Sequence, residues 1–263
     1  MHAQKLPAAA GWRWWRNGFA IFLRKPLLFW LLVICYWVTV IFLNLVPIIG
    51  AVAASMVIPG LTVGLMQAAR DLEQGKPVGL QTLFGGIKQN PRVLLALGAL
   101  YLCCTLAILS LSALLDGGDL LRLILSTKPA DREALESGSF FLPSVFVMTL
   151  MTPVLMAWWF APVLAAWHGQ SVGKSLFFSF IACWINWRAF MVFGAGMILV
   201  AGIFLGVGIP SLLASLVSPG QMTLANMFVL ILLIVVPILS FFSTVYASFY
   251  ASYRDIFGKP DIV

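Results

Sequence analysis

Two stretches of this chain carry no ionisable Asp, Glu, Lys or Arg at all: one from Lys25 to Arg70, the other from Arg188 to Arg254. Each is long enough for two helices to cross a bilayer, since a crossing takes about 20 residues at about 1.5 Å rise each. The composition agrees. Apolar residues make up 62% of the chain, charged residues 10%, and mean hydropathy is +1.01. A soluble domain has roughly 45–50% apolar and about 25% charged residues. A surface so poor in charge has to be covered by lipid. The apolar runs are continuous and do not alternate in period two, so they predict helices and not a barrel.

Six spans are expected. The first two fill the Lys25–Arg70 gap and meet at Asn44-Leu45-Val46-Pro47, a joint tight enough to make an antiparallel hairpin. The third runs from about Val93 to Leu115 and the fourth from about Phe140 to Trp167, with a polar external loop at about 116–139 between them. The fifth and sixth are separated by the turn signal Ser218-Pro219-Gly220-Gln221. All but three of the sixteen Lys and Arg residues fall on one side of this layout. The exceptions, Arg122, Lys128 and Arg132, share the external loop with five acids, from Asp116 to Glu136. Basic residues are retained on the cytoplasmic side, so both termini are expected there. The net charge of +7 is thereby assigned to orientation and lipid headgroups, and nucleic acid is not expected as a partner.

A threefold internal repeat is also expected. Three amphipathic segments precede the odd-numbered spans: Trp12 to Lys25, Val78 to Asn90 and Lys174 to Asn186. They are read as elbow helices lying in the interface. Phe19, Phe84 and Phe180 precede Pro26, Pro91 and Trp187 by the same seven residues. Asn90-Pro91-Arg92 matches Asn186-Trp187-Arg188, and Arg70-Asp71-Leu72 resembles Arg254-Asp255-Ile256. The units are about 12–77, 78–171 and 172–260, all parallel, within a single integral membrane domain at 1–263. The expected fold class is thus all-α and polytopic.

The candidate functional residues follow from this frame. Trp12, Arg13, Trp14, Trp15 and Arg16 interleave indoles with cations, and with Lys25, Arg92 and Arg188 they are expected to meet lipid headgroups. Pro59, Pro153, Pro162 and Pro237 fall in the second span of each unit and are expected to kink it, since proline removes a backbone donor. Ser240, Thr244, Ser248 and Ser252 recur every four residues and are expected to let helices pack closely, as are the pairs Gly60/Gly64 and Gly202/Gly206. No ionised group is expected at mid-membrane, which argues against a proton-coupled pump. The four cysteines lack C-x-x-C spacing. His2 and His168 are the only histidines, and no nucleophile–base motif is visible. No metal, cofactor or catalytic residue is expected.

Ala10-Gly11-Trp12-Arg13-Trp14, Phe19 to Pro26, Leu45 to Gly50 and Gly60 to Arg70 resemble a group of bacterial inner-membrane proteins, found mainly in betaproteobacteria, to which no substrate is assigned. A looser similarity runs to the membrane domains attached to some glycerophosphodiester phosphodiesterases. Their catalytic domain has no counterpart here, so the resemblance implies no activity. The expected function is a non-enzymatic inner-membrane protein that engages lipid or a membrane-protein partner in envelope maintenance. The alternative is a transporter or channel for an uncharged or amphipathic solute.

Overall fold

A computed structural model describes residues 3–124, 141–203 and 224–258 of the chain. Most of the expected external loop, the turn at Ser218–Gln221, Gly206 and Lys259-Pro260 lie outside these residues. Among the described residues every regular element is helical. In chain order they are α1 (Ala10–Arg24), α2 (Pro26–Asn44), α3 (Ile49–Glu73), α4 (Leu80–Lys88), α5 (Pro91–Asp116), α6 (Asp119–Ile124), α7 (Phe141–Trp158), α8 (Ala161–His168), α9 (Val172–Ile185), α10 (Trp187–Ile203) and α11 (Leu224–Phe257).

Among the described residues five helical segments are long and apolar enough to cross a membrane: α2, α3, α5, the α7–α8 pair and α11. The pair α9–α10, bent by 82°, brings the number to six if it counts as one crossing. The protein is a polytopic all-α membrane protein. The sharp bend falls at Asn186, between two apolar helices. Proline opens both α2 and α5, as Pro26 and Pro91. Its fixed φ suits a first helical turn, where a missing N–H leaves no bond unmade. Asn90, ahead of Pro91, sits in the left-handed region at φ 53°. Asparagine enters this region more readily than most residues, and here its Nδ2 makes a long-range bond to the Ala165 carbonyl at 3.0 Å.

The hairpin joint falls where its residues predict, between Asn44 and Ile49. Ile48 carries φ 64°, a strained value for a β-branched residue. At Gly50 an added Cβ would strike the Leu43 carbonyl, so only glycine lets the two strands of the hairpin approach this closely.

α1 and α4 are amphipathic as expected, whereas α9 is apolar nearly all round, and none of the three short helices floats free in the interface. Each crosses a long helix at close range. α4 lies on α3, α9 lies on α7, and α1 lies on α11. The crossing point is comparable each time. A Cβ on Gly64 would strike the backbone of Leu83, and one on Gly86 the backbone of Gly60 and Gly64. A Cβ on Gly18 would strike Ser248 and the Thr244 carbonyl. Ser179 Oγ donates to the Met156 carbonyl at 2.8 Å and accepts from the Phe160 N–H at 2.9 Å. Gly18, Leu83 and Ser179 are the residues just before Phe19, Phe84 and Phe180. Gly18 meets Thr244 and Ser248, Leu83 meets Gly64, and Ser179 meets Met156 and Phe160 at the end of α7.

The core gathers at this elbow end. Leu65, Ala68, Ala69, Phe160, Val163, Leu164, Tyr250 and Tyr253 are buried there, while the opposite halves of α2, α7 and α11 expose Phe42, Leu142 and Leu233. An apolar side chain on a lipid-facing surface is at no cost, so close packing is what distinguishes the two ends.

Candidate functional site

The site is built on α1. Its repeat of apolar and polar residues gives two faces, but three surroundings result. Trp14, Gly18, Ile21 and Phe22 are buried against the protein; Arg13 and Arg16 are exposed; Trp12 and Phe19 are exposed as well. Trp12 is 60% exposed and Trp14 0%. Trp14 therefore belongs to the core and not to the headgroup belt expected of it. Its ring lies 5.1 Å from Phe190 and 6.1 Å from Phe193. Trp15 is also buried, its Nε1–H donating to the Phe193 carbonyl at 3.1 Å. The reason is helical geometry. Trp14 shares a face with Gly11 and Gly18, and at both glycines an added Cβ would run into α10 or α11. Small residues let the helices come close, and the neighbouring indole fills the seam.

Between α1, α10 and α11 lies a groove of about 400 Å³. Trp12, Trp15, Arg16 and Phe19 line it from α1, Val200 from α10, and Pro237, Ser240, Phe241 and Thr244 from α11. Six residues singled out from sequence thus meet at one place: Trp12, Trp15, Arg16, Pro237, Ser240 and Thr244. The hydroxyls there are occupied. Ser240 Oγ donates to the Val236 carbonyl at 2.7 Å and accepts from Trp30 Nε1 at 3.3 Å, while Thr244 Oγ1 donates to the Ser240 carbonyl at 2.8 Å. With its polar atoms turned back on the protein, the groove presents hydrocarbon walls and one cation, Arg16. That combination suits an amphiphile with an anionic head: the chain displaces nothing polar, and the charge meets the guanidinium at the rim.

The remaining expected residues are not all brought together. Lys25, Arg92 and Arg188 are exposed at the starts of α2, α5 and α10, and Arg188 lies over the Trp187 ring at 5.5 Å. Ser248 and Ser252 are buried, donating to the Thr244 and Phe249 carbonyls. Gly202 has open space around it. Pro59, Pro153 and Pro237 sit inside helices that run on through them. Pro162 alone stands at a break. Its ring would clash with the carbonyl of Trp158 and cannot bond it, so α7 ends there and α8 begins three residues later.

Two features escaped the sequence. One is a second cavity of about 330 Å³ between α3, α5, α7, α8 and α11, where Pro59 and Pro162 face Thr62, Tyr101, Trp158 and Phe249. The other is an ionic knot at the elbow end. Arg254 pairs with both Glu73 and Asp255, and Tyr250 donates to Glu73 at 2.8 Å. Arg24 reaches across to donate to the Leu72 and Glu73 carbonyls at 2.9 and 2.8 Å, closing the C-terminus of α3. Arg70 lies 5.1 Å over the Trp167 ring, and His168 Nε2 is 2.5 Å from the Tyr253 hydroxyl. The signal was present in the acids: Glu73 and Asp255 stand out on a side otherwise rich in cations.

Comparison with known proteins places this architecture. No family model and no solved structure matches the chain. A protein of Burkholderia thailandensis described as a "probable inner membrane protein" is 38% identical over 269 residues, which cover 99% of this chain and 96% of the relative. With similarity running end to end at that level, the chain belongs to the same family of bacterial inner-membrane proteins.

Proposed function

We propose that this protein binds phospholipid in the groove between α1, α10 and α11, as a non-enzymatic component of inner-membrane and envelope maintenance. The observation that carries the reading is the groove itself: hydrocarbon walls from Val200, Pro237 and Phe241, with Arg16 as the one cation at its edge. In this reading the elbow end faces the cytoplasm, because the cations gather there, and the three elbow-span-span units are parallel copies. Their comparable crossings at Gly18, Leu83 and Ser179 support that arrangement. Native mass spectrometry after gentle extraction tests the function. The wild type is expected to retain phospholipid, and Arg16→Gln with Val200→Trp, which fills the groove, is expected to release it. Equal lipid retention by the filled variant would overturn the reading.

The second cavity favours one other reading, a passive route for an uncharged or amphipathic solute, because Pro162 at a helix break and Pro59 within a helix border it beside the half-buried hydroxyls of Thr62 and Tyr101. Flux through liposomes that falls with Pro59→Ala and Pro162→Ala would favour it over lipid retention. No flux for any solute class would retire it.

A further inference from the structure

Another cavity lies away from that groove. Its volume is about 720 Å³, and it sits where residues 5–8 pass the corner between α9 and α10. Lys5 and Arg188 line it, with no acidic residue among the described residues of its walls, and Trp184 and Trp187 flank them. The two indoles are 62% and 55% exposed.

The strand that carries Lys5 is pinned. Asn186 Oδ1 accepts from the Leu6 N–H at 2.7 Å, and Asn186 Nδ2 donates to the Gln4 carbonyl at 2.9 Å and the Ala182 carbonyl at 2.9 Å. Gln4 N–H in turn donates to the Ile256 carbonyl at 2.9 Å. Asn186 is buried, so a polar side chain inside the fold is devoted to holding the Lys5 backbone beside Arg188. Both cations line the same cavity, where one anion could meet the two of them.

Depth identifies the anion. Asn186 is the point of the 82° bend between two apolar helices, and the exposed indoles of Trp184 and Trp187 stand on either side of it. Such a corner marks the boundary between water and hydrocarbon, the level at which indoles settle and lipid phosphates lie.

We propose that Lys5, Arg188, Trp184 and Trp187 form a binding site for the headgroup phosphate of an anionic phospholipid, separate from the acyl groove. Phosphate chemistry is shared by lipid headgroups and free phosphate, and the depth of the corner commits the site to the lipid. The full chain in detergent is titrated with dioctanoyl phosphatidylglycerol, dioctanoyl phosphatidylcholine and inorganic phosphate, and bound species are read by native mass spectrometry. One phosphatidylglycerol is expected to bind in preference to phosphatidylcholine. Its affinity is expected to fall about tenfold in Lys5→Gln/Arg188→Gln, as surface cations facing anionic lipid would give, and to persist in Arg16→Gln. Unchanged affinity in the double variant, equal binding of the two lipids, or inorganic phosphate displacing phosphatidylglycerol at millimolar concentration would overturn the site. Lys5→Arg/Arg188→Lys, which keeps both charges, is expected to restore binding and separates lost charge from lost folding. Because Arg16→Gln/Val200→Trp probes the groove alone, failure of either site leaves the other standing.

Discussion

Gly18 shows how much a single side-chain hydrogen decides. It faces the Thr244 carbonyl and the backbone and hydroxyl of Ser248 with no room for a methyl group. Forcing one in means moving two backbones apart, and overpacking of this kind costs about 1–3 kcal/mol. Gly18→Leu is therefore expected to lower the thermal midpoint in detergent by several degrees. Gly85→Leu, on α4 with nothing within 4 Å of the new Cβ, is expected to leave it unchanged or raise it slightly, since glycine is a poor helix former. Equal midpoints for the two variants would mean that the α1–α11 crossing contributes nothing to stability. The serines on α11 were legible as packing positions from their four-residue spacing. The glycine that answers them was not, because one glycine in an amphipathic helix carries no period. Trp14 was misplaced for the same reason. Hydropathy groups it with Trp12 and Trp15, and only the proximity of α10 separates an indole in the core from one in lipid.

Among the elements, the break between α7 and α8 has a built-in compensation. Pro162 interrupts the helix, which frees the Phe160 N–H and the Met156 carbonyl; Ser179 on α9 answers both. An amide left unpaired in an apolar setting costs about 1–3 kcal/mol. Ser179→Ala is expected to destabilise the fold by that amount, and adding Pro162→Ala is expected to recover part of it, because a repaired helix satisfies its own backbone. Strictly additive losses, measured by denaturation in detergent, would contradict this account. The existence, order and approximate ends of the spans could be read from hydropathy, which is why α2, α3, α5 and α7–α8 lie where expected. Where the short helices sit could not. Their apolar faces predict an interface, and a bilayer and a protein surface satisfy that pattern equally well. Small residues at Gly60, Gly64 and Gly86 decide in favour of protein for one face, leaving Leu80 and Phe84 outward.

At the scale of the whole molecule, α1 is packed on α11, so the first described helix of the chain lies against the last. The groove assigned to lipid exists only because of that long-range meeting, and this is why its parts could be named from sequence while their convergence could not. The spacing of Trp12, Arg16, Pro237 and Thr244 along the chain carries no information about distance in space. The cavity at Lys5 and Arg188 depends on the same kind of encounter, between residues 5–8 and the corner at 186. The amide of Gln4 is bonded to the carbonyl of Ile256, which ties head to tail across nearly the whole polypeptide. Topology reporters fused to either end must then give one answer, whichever compartment that is. A phosphatase and a fluorescent protein that disagreed about the two ends would show that this knot does not form in cells. If it does form, a short linker could join the ends and new ones be opened elsewhere, with the bundle left intact.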